Sequence, residues 1–246
     1  MKRLIVNADD FGFTRDVNEG IVHAHRNGIL TATTLMATGP AFEHAVELAR
    51  ETPSLDIGVH LVLVDAEGYP STLARCTAAV LLGRIPIYER LAGQVRRILD
   101  AGIQPTHLDT HKHTHLLPQV LDAVARISAE FRIPWVRRLV PAPVPFLQSM
   151  GQAMLMRRGC RTTDYFEGFE ITGRYDTEDL ASLIRRLPDG ITEFMCHPGF
   201  CREELRAART RLKASRQIEL DALTSKEVRT AIEESSVVLV RYPDLS

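Results

Sequence analysis

Short apolar runs and amphipathic stretches alternate along nearly the whole chain, and this alternation sets the expected fold. Residues 3–8 form an apolar run ending in two acids, the pattern of a buried strand. Residues 16–27 place apolar positions at helical spacing until Gly28, which suits a helix stop. A β-branched strand over 31–38, a helix over 41–51 that ends before Pro53, and a third strand over 56–64 follow. Residues 65–86 keep neither period and are expected to form a long active-site loop. A helix over 87–101 and a short strand over 107–109 come next, with Pro118 in the first turn of another helix. Beyond Pro134 the pattern predicts strands over 135–140, 192–196 and 237–241. It predicts helices over 146–158 and 177–186, and a mostly helical stretch over 203–224.

Repeated strand-then-helix units imply a parallel sheet. About seven such units without a GxGxxG turn predict a distorted, TIM-barrel-like (β/α) barrel rather than a dinucleotide-binding sheet. No Gly/Ser-rich linker or repeat divides residues 1–246, so one domain is expected.

Composition adds mainly exclusions. The net charge of −1 gives no basic field for nucleic acid. The four cysteines show no disulfide-framework spacing, and residues 1–7 lack the apolar core of a secretory signal. No apolar stretch approaches the roughly 20 residues of a membrane span. These features point to the cytoplasm. Cys196-His197 with Cys201 offers a soft zinc site, but no paired CxxC accompanies it.

The candidate chemistry is concentrated. Four of the nine histidines, His107, His111, His113 and His115, lie within nine residues together with Asp109. Imidazole and carboxylate together suit divalent transition metals. Asp9 and Asp10 at the end of an apolar strand would be costly without a neutralising cation or proton. With His60 in the third strand and His197 after a late one, these groups fall near strand C-termini, the rim where barrel enzymes place their chemistry. Each could instead be an isolated cap or core residue; their agreement on one rim favours a joint site. Asp10, His60 and His111 would make a two-His, one-carboxylate site for one divalent ion such as Zn, Mn, Co, Fe or Mg. Asp9 would then serve as general base and His197 as the acid for the leaving group. Asp109, His113 and His115 are assigned to orienting the ligands or contacting substrate. An extended segment would align 111, 113 and 115 on one face, whereas a helical turn would pair only 111 with 115. His23, His25, His44 and His107 are read as surface or packing residues.

Asn7-Ala8-Asp9-Asp10-Phe11-Gly12, Gly58-Val59-His60-Leu61, the run from His107 to His115, and His197-Pro198-Gly199 resemble the YdjC-like carbohydrate deacetylases. The resemblance implies a distorted (β/α) barrel and metal-dependent removal of acetyl from an N-acetylated sugar. Carried over by motif, Asp10, His60 and His111 match the metal ligands, Asp9 the base and His197 the acid. Leu61-Val62-Leu63-Val64 and the 31–36 segment look most like the hopanoid-biosynthesis branch, which implies a glucosamine-bearing hopanoid glycolipid as substrate. Thr110 and Lys112 depart from the family, which often has Ser and a smaller or amide side chain there. Alternatives are a deacetylase of chito-oligosaccharides or other soluble N-acetyl sugars, a metal phosphoesterase, a two-His-one-carboxylate iron oxygenase and a non-catalytic sugar-binding module. Finally, Arg137-Arg138, the apolar run 141–147 and residues 150–156 before Arg157-Arg158 form an apolar segment between basic pairs. It is read as an irregular connection with a buried helix or as a lid touching a membrane surface. A homodimer is also admitted.

Overall fold

The computed structural model describes residues 1–139 and 145–245, and the backbone alone for 145–148. The first half of the chain comprises β1 (Lys2–Phe11), α1 (Arg15–Asn27), β2 (Ala32–Leu35), α2 (Phe42–Glu51), β3 (Asp56–Leu61), α3 (Leu73–Leu81), α4 (Ile87–Asp100), β4 (His107–Thr110) and α5 (Pro118–Phe131). The second half comprises β5 (Trp135–Val136), α6 (Pro145–Arg157), β6 (Tyr165–Glu167), α7 (Thr177–Arg185), β7 (Gly190–Cys196), α8 (Glu203–Ala207), α9 (Ala214–Thr224), α10 (Lys226–Glu234) and β8 (Val237–Leu239). Local chemistry explains several boundaries. Thr14 caps α1 by accepting from Val17 N, Pro118 opens α5, and Asp176 and Asp179 form a reciprocal capping box on α7.

All ladders among these strands are parallel, in the order β5-β4-β3-β2-β1-β7-β6, with β8 added on β1. β7 follows β1 from Lys2 to Ala8; β8 pairs with its first residues and β2 with its last. The outer edges approach each other through a bridge from Trp135 of β5 to Arg161, a few residues before β6. The sheet therefore curls into a barrel without a full closing ladder among the described residues, and helices cover its outside.

Period-2 alternation sorts β1 between two environments. Leu4, Val6 and Ala8 join the large core beneath the helices, whereas Ile5 packs inside the barrel with Ala32, Trp135, Tyr242 and Leu245. Continuing along the interior face, Asn7 meets His107, and Asp9 meets Arg137. His107 stacks on Tyr242 with ring centroids 4.1 Å apart. A Cβ at Gly58 would lie 2.5 Å from the His107 ring, so glycine is what lets this histidine enter the barrel. The interior thus passes from an apolar floor through neutral polar groups to charged ones.

Several elements differ from the sequence expectation. Residues 65–86 include helix α3, where Thr72 caps an apolar-rich turn. β1 continues through Asp9 and Asp10 instead of ending before them. The stretch expected to be helical over 203–224 breaks between α8 and α9, and β6 and α10 were not among the expected elements. The strand expected over 135–140 reduces to β5, and Val140 lies outside the described residues. The 141–147 run is likewise outside them, over 141–144, or described by backbone alone, over 145–147. Arg137 is buried and not part of a basic flank, while Met150 and Met156 are exposed.

Candidate metal centre and catalytic cleft

The end of β1 carries the feature on which the site depends. Its register on β2 advances from Ala8–Thr33 to Phe11–Leu35, three residues against two, and Asp10 has φ of 70°. This is a bulge, one extra residue turned into the left-handed region. Consecutive strand residues normally point to opposite faces; the bulge lets Asp9 and Asp10 both line one cleft.

Asp10 Oδ1 lies 3.4 Å from His60 Nε2 and 3.3 Å from His111 Nδ1, and those two nitrogens are 3.1 Å apart. Such separations suit donors each about 2.1 Å from a common ion. Asp10 Oδ1 is also buried without a hydrogen-bond partner among the described residues, the kind of atom a cation satisfies. His60 is turned toward this point by Asp109, whose Oδ1 is 2.7 Å from its Nδ1; Thr34 in turn donates to Asp109 Oδ2 at 3.0 Å. A carboxylate behind a histidine fixes its tautomer and raises its basicity. Burial disfavours a charged His60, but Asp109 with Asp10 outweighs it and pushes the pKa up to about 10. Carboxylates that draw a proton so strongly would also draw a cation. The donor set therefore fits a divalent ion, and no cysteine belongs to it.

Asp9 stands beside this group. Arg137 donates to Asp9 Oδ1 and Oδ2 at 2.7 and 2.8 Å, and its Nη1 and Nε reach Asp109 Oδ2 and Glu193 Oε1 at 2.7 Å each. Burial opposes ionisation of Asp9, yet Arg137 holds its carboxyl well below the usual range. Arg216 acts similarly on Asp10, with Nη2 2.5 Å from Oδ2. Glu193 has the opposite balance: burial wins over Arg137 and its pKa rises. His197 follows β7 with Nε2 4.0 Å from Asp9 Oδ2, and burial lowers its pKa. Its backbone N–H donates to Glu219 Oε2 at 2.5 Å, so α9 fixes the start of the His197-Pro198-Gly199 turn.

The remaining histidines separate. Lys112 and His113 both have left-handed backbones, so the segment follows neither the extended nor the single-turn expectation. His113 lines the cleft against Phe169, with ring centroids 4.8 Å apart. His115 turns inward to Thr110 Oγ1 at 2.5 Å, and burial lowers its pKa to about 3. Lys112 pairs with Asp65 at 2.6 Å at the cleft wall. His44, expected to be a surface or packing residue, also lines the cleft, whereas His107 packs inside the barrel. The cleft has a volume of about 1570 Å³ and contains Asp9, Asp10, His60, His111, His113 and His197 on its walls.

Arg137, Glu193, Arg216 and Glu219 are buried members of the site absent from the sequence assignment. Glu193 did carry a signal, a lone charge within the apolar run from Ile191 to Cys196. Arg216 lies in a polar stretch and carried none.

A family model described as YdjC-like protein matches residues 3–234. The chain belongs to this family. A carbohydrate deacetylase of Brevibacillus brevis is 34% identical, with 99% of each chain aligned. A chitooligosaccharide deacetylase of Salmonella paratyphi B is 36% identical over 94% of each. Among solved structures, a protein of Enterococcus faecalis V583 assigned to cellobiose-phosphate cleavage superposes with a TM-score of 0.85 at 28% identity, covering 100% of this chain and 99% of that one.

Proposed function

We propose that this YdjC-like chain is a metal-dependent hydrolase that removes the acetyl group from an N-acetylated amino sugar. One observation carries the assignment: three convergent donors, Asp10, His60 and His111, stand beside Asp9, which is paired with Arg137, and a partly buried His197 in one open cleft. The names of the Brevibacillus and Salmonella relatives support the same chemistry. Passive sugar binding would leave the Asp9–His197 arrangement without a task.

Asp10 Oδ1, His60 Nε2 and His111 Nδ1 would hold one divalent ion. Their mixed nitrogen and oxygen character suits Zn, Mn, Co or Mg. When bound, such an ion polarises an amide carbonyl and makes water easier to deprotonate. Asp9 takes the proton from the attacking water at its carboxylate. Arg137 keeps that carboxylate ionised and fixes its direction. The same guanidinium makes Asp9 hold the proton weakly, which favours passing it on. His197 Nε2, 4.0 Å from Asp9 Oδ2, is placed to give a proton to the departing amine. Asp109 and Thr34 hold His60 in the required tautomer.

The finer reading is that the substrate is the glucosamine-bearing hopanoid glycolipid of the hopanoid-biosynthesis branch, handled in the cytoplasm by residues 1–246 as one domain. Peripheral membrane contact and a homodimer belong to this reading; no described helix is long and apolar enough to cross a membrane. Acetate release should be measured on soluble N-acetyl chito-oligosaccharides and on lipid-linked N-acetylglucosaminides. The finer reading expects turnover of the lipid-linked set at least about tenfold faster, a difference of about 1.4 kcal/mol. Equal or greater turnover of soluble sugars would leave only the general deacetylase, and no acetate from either set would refute it.

A further inference from the structure

The two buried arginines of the cleft are not used equally. Arg137 spends all three of its nitrogens on carboxylates. Arg216 places Nη2 on Asp10 Oδ2 at 2.5 Å and Nε on Leu212 O at 3.3 Å, but its Nη1 is buried without a hydrogen-bond partner among the described residues. The side chain is 2% exposed and still borders the cleft. A buried, charged donor with no acceptor is unfavourable unless a ligand supplies one.

Its position restricts what that ligand can be. A guanidinium presents its donors in a fixed planar fork, so once Nη2 is pinned to Asp10 the direction of Nη1 is set. The backbone of the same residue is anchored too, since Gly199 N donates to Arg216 O at 3.1 Å. Asp10 uses its other oxygen, Oδ1, to face His60 and His111. Arg216 is therefore separated from the candidate metal centre by a single carboxylate. The fitting chemistry is an oxygen that carries or develops negative charge.

We propose that Arg216 Nη1 is a hydrogen-bond donor to the acyl oxygen, the atom that enters as the amide carbonyl and leaves in acetate. This rests on the deacetylase assignment above. The donor would strengthen its bond as charge builds on that oxygen during water addition, and afterwards it would retain the acetate carboxylate. Pinning Asp10 Oδ2 leaves Oδ1 as the oxygen free to bind an ion. Lysine, a point charge on a flexible stem, could neutralise Asp10 but could not make both contacts in the same plane.

The test uses wild type and Arg216→Lys, each analysed for bound metal by atomic emission. Arg216→Lys is expected to retain the metal, lose about 10²–10³-fold in kcat with KM changed little, and lose inhibition by acetate. Wild-type crystals soaked in acetate should place a carboxylate oxygen within hydrogen-bond distance of Arg216 Nη1, a readout that needs neither turnover nor a folded variant. Acetate bound away from Arg216, no acetate at saturating concentration, or loss of metal in step with activity would overturn the donor role. Acetate on Nη1 without hydrolysis of any N-acetyl sugar would support the anion contact and overturn the deacetylase assignment instead.

Discussion

Asp10, His60 and His111 come from the first four strands and their ends, and they bring lone pairs toward one point. Arg137 and Arg216 come from β5 onward, and they bring charges that fix Asp9, Asp109 and Asp10, groups already placed by the first half, while Glu193 holds Arg137 and Glu219 holds His197. Ligand atoms must meet within a few ångströms, so they require particular geometry: a bulge at Asp10, a strand position for His60, and a left-handed turn after His111. A counter-charge has more freedom, because a long side chain can reach a carboxylate from a strand end or from a helix. The comparison teaches that the half with the recognisable residues is not self-sufficient. Without Arg137, three buried carboxylates would lose their common partner.

The strongest way to break this division is to remove a ligand. We expect His60→Ala to lose bound metal and reduce acetate release to background, with the fold retained by circular dichroism. An active His60→Ala protein would contradict the ligand assignment. Asp9→Asn sharpens the contrast, since Asp9 comes from the first half but is given no role in holding the ion. It should retain metal and lose about 10²–10⁴-fold in kcat, the usual contribution of a general base. Near-normal turnover would exclude it as the base.

Arg137→Met probes the second half. Leaving Asp9, Asp109 and Glu193 buried without their guanidinium should cost about 3–5 kcal/mol of stability, read from urea denaturation. A loss below about 1 kcal/mol would mean that the carboxylates find other partners.

Asp56 is the smallest and most selective comparison. It is a first-half carboxylate, mostly buried, held by neutral donors, Thr106 Oγ1 at 2.7 Å and Tyr242 N at 3.0 Å. Burial pushes its pKa up to about 6 despite these bonds. The folded state then binds the proton more tightly than the unfolded state does, so stability falls as pH rises through this range and is regained as pH drops toward the unfolded value. From pH 7 to pH 5, wild type should gain about 1 kcal/mol relative to Asp56→Asn. A loss over the same interval would show that Asp56 is paired like Asp9.

The same division explains what the sequence made legible. The strand–helix alternation and the barrel were readable because β1, β3 and β7 bury continuous apolar runs and α1, α2 and α4 have clear apolar faces. Asp9, Asp10, His60, His111 and His197 were visible because strand-end acids and clustered histidines are costly or unusual unless they have a task. The bulge was hidden, because register depends on the partner strand. Arg137 looked like half of a surface pair with Arg138, although it lies two residues after Trp135, which packs inside the barrel. Arg216 and Glu219 share the buried side of a helix with many polar residues, and their partners lie about 200 residues earlier, at Asp10, or 22 residues earlier, at His197. Periodicity within a short window cannot report such contacts.

The central claim is that one ion is held by the first half and braced by the second. Anomalous diffraction at the absorption edge of the bound metal tests it most directly, using crystals of the purified protein. The account predicts one peak, within bonding distance of Asp10 Oδ1, His60 Nε2 and His111 Nδ1, with Asp9 and both arginines outside the coordination sphere. A peak on Asp9 and Asp109, or one at the Cys196–Cys201 turn, would contradict it.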